Sequence, residues 1–169
     1  MWSSKNSLIL IFLLLAGCGF RPLYEPKTDR DTFSVFSTIK IFPTKDRTGQ
    51  LLTNELIRLL HPKGASDRVA FQLKTTLSET ETSLGVEKSA VATRGNLKMT
   101  AKYNLKPIYN GPEIKDSIKT ITVSYNLFTS PFARNAAKKN ARARAVREIA
   151  QEIRHHLGVA LRDRYRRDQ

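Results

Sequence analysis

The one cysteine of the chain, Cys18, follows directly on a short apolar segment near the start of the sequence. Lys5 provides a positive charge, residues 8–15 (LILIFLLL) are all apolar, and two small residues, Ala16 and Gly17, precede the cysteine. A transmembrane helix needs about 20 mostly apolar residues, so this segment is too short to span a bilayer comfortably. A positive start, a short apolar core and small residues before a cleavage point are typical of a secretory signal.

The tetrapeptide Leu15-Ala16-Gly17-Cys18 resembles the lipobox of bacterial lipoproteins. In such proteins the thiol receives diacylglycerol, the signal is cut before the cysteine, and the new amino terminus is acylated. The alternative is an ordinary signal peptide with a chance cysteine. An exported chain usually pairs its cysteines, and a lone thiol at the mature terminus favours an anchor, since more than one acyl chain anchors a protein stably. We therefore expect a lipoprotein signal peptide at residues 1–17, with diacylglycerol and an N-acyl chain such as palmitate on Cys18.

The residue after the cysteine indicates in which of the two membranes the protein is anchored. In enterobacterial lipoproteins an Asp at that position favours retention in the inner membrane, and this chain has Gly19 instead. The sequence therefore predicts an outer-membrane, lipid-anchored protein of a Gram-negative bacterium.

Positive charge is the second chemical feature, with 29 Lys and Arg against 15 Asp and Glu. Such a balance in a cytoplasmic protein would indicate nucleic acid, but an exported protein does not meet it. The polyanions outside the cytoplasmic membrane include lipid A phosphates, core sugars, acidic protein surfaces and teichoic-type polymers.

The basic residues that alternate along one stretch give the sharpest candidate site. Lys98, Lys102 and Lys106 fall on one face of a predicted strand, with Arg94 near its start and Lys119 on the returning strand. Because neighbouring strands lie about 4.8 Å apart, these charges could form a patch that binds phosphate through charge-assisted hydrogen bonds. We expect Arg94, Lys98, Lys102 and Lys119 to bind lipopolysaccharide phosphates together, although solubility explains any single lysine equally well.

Catalytic and metal-binding patterns are not found. The histidines, His61 and the adjacent His155 and His156, lack the converging spacing of a zinc site. Glu79 and Glu81 lie in a polar, turn-prone stretch, where solvated surface is the expected environment. No nucleophile elbow or Gly-rich phosphate loop is present. The sequence predicts a protein that is not an enzyme and needs no cofactor beyond its own lipid.

The pattern of apolar residues predicts the elements that must position these side chains. Residues 18–32, with two prolines, are predicted to be an extended tether, and residues 33–169 a single domain. Apolar alternation predicts strands and a period of 3.6 predicts helices. The predicted elements are a strand at 33–42, a helix at 52–60, strands at 69–77, 96–106 and 118–127, and a helix that follows Pro131 and includes Leu161.

This order predicts an α+β fold, in which two helices pack on one face of a four-stranded, mostly antiparallel sheet and leave the other face polar and basic. The early turns of the last helix place Lys139 and Arg142 where its apolar stripe would continue. Either those turns project beyond the sheet, or they meet a partner.

Short motifs in a fixed order resemble one known family. The start Cys18–Tyr24 (CGFRPLY), the alternating strand at 96–105, the tripeptide at 124–126 (SYN), Ser130–Ala133 (SPFA) and the Ala- and Arg-rich last helix resemble the lipopolysaccharide-assembly lipoprotein, or LptE-type, family. The resemblance implies a small α/β sandwich that plugs a large outer-membrane β-barrel, assists its assembly, binds lipopolysaccharide and helps deliver it to the outer leaflet.

Two functions from different classes remain open on the sequence. The first is this translocon subunit, with a β-barrel and lipopolysaccharide as its partners. The second is a free-standing lipoprotein facing the periplasm, which binds an acidic polymer or an acidic protein.

Overall fold

The computed structural model describes residues 34–84, 94–109 and 111–167. The predicted signal peptide, the tether and Cys18 lie outside these residues. The elements are β1 (Ile39–Ile41), α1 (Arg47–Leu60), β2 (Phe71–Leu84), β3 (Arg94–Pro107), β4 (Lys115–Asn126) and α2 (Pro131–Arg167).

The four strands form one mixed sheet in the order β1-β2-β3-β4. β1 runs parallel to β2, which requires the crossover that α1 supplies, while β2, β3 and β4 are joined antiparallel. Both helices pack against the same face of the sheet. The predicted α+β fold, with its element order and its two helices on one face, is confirmed.

The core lies between this face and the helices, and β3 crosses its centre. Its residues alternate strictly, so that Leu97, Met99, Ala101, Tyr103 and Leu105 are at most 1% exposed. A strand places successive side chains on opposite faces, and the intervening polar residues therefore point away from the core. The helices complete the core with apolar side chains at helical spacing: Leu52, Leu56 and Leu60 from α1, and Ile149, Ile153, Leu157 and Leu161 from α2.

Local chemistry sets both ends of α1. Asp46 is the N-cap, and its Oδ1 accepts a hydrogen bond from the Gly49 N–H at 2.6 Å, which satisfies one of the free donors of the first turn. At the other end the His61 N–H donates to the Ile57 carbonyl. The His61 Nε2 lies 3.0 Å from the carbonyl oxygen of Ile39, linking the helix end to β1.

Two strand predictions are corrected by the structure. The strand predicted at 33–42 is reduced to Ile39–Ile41, because residues 34–37 form a helical turn. Hydroxyls stabilise that turn, since Thr38 Oγ1 donates to the Val35 carbonyl at 2.7 Å and such side-chain bonds compete with strand pairing. The strand predicted at 69–77 continues to Leu84 and pairs with β3 along its whole length. Its second half is polar, so no apolar alternation revealed it.

Candidate ligand-binding surface

The face of the sheet that carries no helix is polar and basic, and we call it the outer face. Even-numbered residues of β3 point to it, which places Arg94, Lys98, Lys102 and Lys106 on one side, all of them exposed. The structure thus places three of the predicted site residues, Arg94, Lys98 and Lys102, in a row on one face.

Hydroxyl groups separate these cations. Lys98 is flanked across the sheet by Thr80 and Thr122, and Lys102 by Thr76 and Ile118. Between the two lysines the Oγ1 atoms of Thr100 and Thr120 lie 3.0 Å apart. Four residues of extended strand place the two lysine backbones about 14 Å apart, so that their flexible side chains can bind two neighbouring anionic groups. The surface combines ammonium and hydroxyl donors, which suits a ligand that carries phosphates and sugars.

The outer face also holds cations that the sequence interpretation missed. The Lys40 and Lys74 ammonium groups lie 5.6 and 5.4 Å from the centre of the Phe42 ring, within the range of a cation–π contact. The alternation of β2 contained the signal for Lys74, because it occupies the polar register between Leu73 and Thr75. Lys106 Nζ lies 3.7 Å from Glu113 Oε1, which offsets part of its charge.

Lys119 does not belong to this surface, and its predicted place in the patch is wrong. It is paired with Ala101 across β3 and β4, on the face that the helices cover. Its Nζ lies 3.3 Å from Glu152 Oε2 of α2. The sequence established that Lys119 is on the returning strand, but only the register with β3 decides which face it occupies.

The acidic residues Glu79 and Glu81 form ion pairs with α2, and of the two only Glu81 is exposed, as the sequence indicates for both. Both residues lie on the helix-covered face of β2, where Arg142 Nε donates to Glu79 Oε2 at 2.7 Å and its Nη2 donates to Oε1. Lys138 pairs with Glu81, which also accepts a hydrogen bond from the Tyr125 hydroxyl at 3.2 Å. The bond from Lys138 is the main cause that lowers the pKa of Glu81. Arg142 therefore docks α2 on the sheet, whereas Lys139 is exposed.

The histidines serve the fold in the same way. His156 Nδ1 lies 2.8 Å from the buried Tyr103 hydroxyl, while its neighbour His155 points to solvent. Burial, followed by the nearby charge of Lys119, lowers the pKa of His156. Within the described ranges, no group of three or more His, Cys, Asp or Glu side chains is placed so that it could hold a metal ion. None of the helices in the described residues combines the length and apolar character needed to cross a bilayer.

Solved structures of bacterial lipoproteins share this fold. The chain is similar to a protein of Caulobacter crescentus CB15 described as a lipoprotein, with 27% identity over 79% of this chain and 97% of that one, at a TM-score of 0.65. The minor lipoprotein of Acinetobacter baumannii is 16% identical over 73% and 92%, with a TM-score of 0.58. Rare lipoprotein B of Shewanella oneidensis is 14% identical over 74% and 96%, with a TM-score of 0.57. The last two show the fold alone.

No curated protein matches the chain. A family model does match it, LptE, described as lipopolysaccharide-assembly, over residues 36–167. That range begins within the helical turn before β1 and ends with the last residue of α2, so it includes all four strands and both long helices. The chain belongs to the LptE family of lipopolysaccharide-assembly proteins.

Proposed function

We propose that this protein is an outer-membrane lipoprotein, anchored through Cys18, that binds lipopolysaccharide phosphates on its outer face within a complex with a large β-barrel. The general role of the family, lipopolysaccharide assembly without enzyme activity, supports this proposal. The proposal adds to this role the anchor, the barrel partner and the lipopolysaccharide contacts.

The exposure of Lys98 and Lys102 is the observation that carries the ligand assignment. Among the described residues, no carboxylate forms a salt bridge with either lysine, although acidic residues pair with Lys106, Lys119 and Lys138 elsewhere on the domain. Arg94 extends this row toward the start of β3. Binding of phosphate to these two lysines therefore does not require that an existing ion pair be broken.

Removal of both lysines tests the site. We expect Lys98→Ala/Lys102→Ala in the full chain to weaken lipopolysaccharide binding by about tenfold or more, because hydrogen bonds to charged groups contribute about 1.5–3 kcal/mol each. The loss should shrink in high salt, where exposed charges are screened. Folding should be retained, since exposed substitutions change the free energy of unfolding by about ±0.5 kcal/mol.

The matched control is Lys63→Ala/Lys139→Ala, which removes the same charge from exposed positions outside the outer face. It should bind lipopolysaccharide like the wild type. Unchanged affinity in a folded Lys98→Ala/Lys102→Ala variant would falsify the site and direct attention to the Arg-rich helix α2.

The anchor is tested separately. We expect metabolic palmitate labelling of the wild type and none of Cys18→Ser, because no other thiol is available for the thioether. Label that persists in the variant would show that the lipid is attached elsewhere.

A further inference from the structure

One end of the domain combines exposed arginines with exposed aromatic and aliphatic side chains, and we propose that it rests on the anionic, phosphate-bearing headgroups of a lipid bilayer. We call it the basic end. It comprises the last turns of α2 from Val159, the exposed pair Ile108 and Tyr109 that follows β3, and the helical turn at 34–37. The orientation rests on the proposed anchor at Cys18, but the inference does not depend on the barrel or on lipopolysaccharide binding.

Contacts along α2 establish which elements meet at this end. Arg142 bonds to Glu79, which is paired with Met99 of β3, and further along α2 His156 contacts Tyr103. The helix thus runs toward the end of β3. From His156 to Arg167 it rises about 16 Å, while β3 advances about 13 Å from Tyr103 to Pro107. The last turn of α2 is therefore level with Ile108 and Tyr109.

The amino-terminal part of the described chain joins the domain at this same end. Phe36 is buried and packs on α2, since a Cβ built on Gly158 would lie 3.5 Å from Phe36 Cζ. The stretch between Cys18 and Ser34 can span at most about 55 Å. A lipid on Cys18 would lie within this reach of the basic end, which is the end at which the described chain enters the domain.

The side chains exposed here match a membrane interface. Arg162, Arg166 and Arg167 are all exposed, and no salt bridge of the described residues involves them. Tyr165 is 50% exposed and Tyr109 82%. Tyrosines favour the headgroup level of a bilayer, and arginines near an anionic surface each contribute to binding. Val159 and Ile108, 44% and 39% exposed, add aliphatic area beside them.

Acidic residues are present at the basic end but do not cancel this charge. Glu113 is engaged by Lys106 at 3.7 Å. Asp163 lies among the arginines, and its backbone carbonyl accepts a hydrogen bond from Arg167 Nε at 3.3 Å. The arginines of the last turns of α2 outnumber Asp163, so this end of the helix keeps a net positive charge.

A tryptophan introduced by Tyr109→Trp can report contact between this end and lipid. The natural chain has one tryptophan, Trp2, which precedes Cys18, and the unmodified chain supplies the background signal. The full chain carrying Tyr109→Trp is reconstituted with brominated phosphatidylcholine vesicles, with or without phosphatidylglycerol. We expect quenching of the introduced indole to increase when phosphatidylglycerol is present and to lose that increase in high salt, where charges are screened within about 3 Å.

Two charge-matched variants complete the test, each combined with Tyr109→Trp. Arg162→Gln/Arg166→Gln should lose the increase in quenching caused by phosphatidylglycerol, and Lys98→Gln/Lys102→Gln on the outer face should retain it. Equal quenching with and without phosphatidylglycerol would overturn the proposal and would indicate that the basic end contacts a protein partner instead. An equal loss of the phosphatidylglycerol-dependent increase in both variants would also overturn it. Thermal unfolding checks that the variants fold. Flotation with phosphatidylcholine vesicles alone tests the anchor at Cys18. Because the vesicles contain neither barrel nor lipopolysaccharide, failure of the proposed bilayer contact can be distinguished from failure of the proposed function.

Discussion

At the residue scale, His156 shows how a polar side chain is accommodated at the margin of the core. Its Nδ1 lies 2.8 Å from the hydroxyl of Tyr103, which is 1% exposed. Burial is the largest cause that lowers the pKa of His156 below 6.5, the charges of Lys119, Lys115 and His155 act in the same direction, and Glu152 opposes them. The neutral imidazole is therefore the form that the folded protein prefers.

This preference predicts a pH dependence of stability. Because the pKa of His156 is lower in the folded state than in the unfolded state, the unfolded state binds more protons as pH falls through about 6.5. The free energy of unfolding should therefore decrease from about pH 8 to about pH 5 in the wild type. Glu81, whose pKa is lowered from 4.5, loses its contribution only at more acidic pH.

Urea unfolding across this range measures the effect. His156→Gln should show a smaller decrease than the wild type. His155→Gln should stay close to the wild type, because the charge of His155 is the smallest of the causes that lower the pKa of His156. Identical slopes for the wild type and His156→Gln would mean that the histidine titrates alike in both states.

At the element scale, ion pairs between α2 and β2 dock the early turns of the long helix. The apolar stripe of α2 ends near the small residues Ala141 and Ala145, which are fully buried and let the helix approach the sheet. Arg142, next to Ala141, binds Glu79, and one turn earlier Lys138 binds Glu81. The cations that interrupt the apolar stripe therefore extend the contact between α2 and the sheet through ion pairs instead of apolar packing.

Loss of the arginine should destabilise the protein. We expect Arg142→Met to lower the free energy of unfolding by about 1–3 kcal/mol, because it leaves the mostly buried Glu79 carboxylate without its partner. The double variant Arg142→Met/Glu79→Gln should recover part of this loss, since the unpaired charge is removed. Chemical denaturation measures both, with Lys139→Met as the exposed control. A single variant as stable as the control would show that the pair contributes nothing measurable.

At the scale of the whole molecule, the domain has one helix-covered face and one polar face. Interiors of large outer-membrane barrels are polar, and the outer face, with its lysines and hydroxyls, suits such surroundings. The basic end is a separate surface, formed where α2 finishes. The proposed contacts with lipopolysaccharide and with a bilayer would thus use different surfaces of one small domain.

We expect the protein to be extracted from outer membranes by mild detergent as a stable complex with a β-barrel of much larger mass. Affinity capture of the full chain, followed by gel filtration, measures this, and depletion of the protein should lower the amount of barrel. Recovery of the monomer alone, with barrel levels unchanged, would favour a free-standing lipoprotein that binds an acidic polymer or protein.

Much of the fold was determined by sequence patterns that act locally. The alternation from Leu97 to Leu105 fixes which side chains of β3 face the core, because a strand repeats every two residues. The stripe from Val146 to Leu161 requires a helix in the same way. The element order then leaves few arrangements other than two helices on one face of a sheet. The row Arg94, Lys98 and Lys102 followed from the same alternation, so the sequence alone could place those three together.

Tertiary structure decided what depends on register and on contacts between distant residues. Lys119 lies opposite Ala101 and not beside Lys98 because pairing of β3 with β4 fixes its face, and a shift of one residue would reverse it. The polar half of β2 is a strand because β3 pairs with it and Arg142 and Lys138, more than 50 residues away, neutralise its carboxylates. No local pattern contains those partners. The basic end likewise exists only because α2 finishes where β3 ends, a coincidence in space between segments that are far apart in the chain.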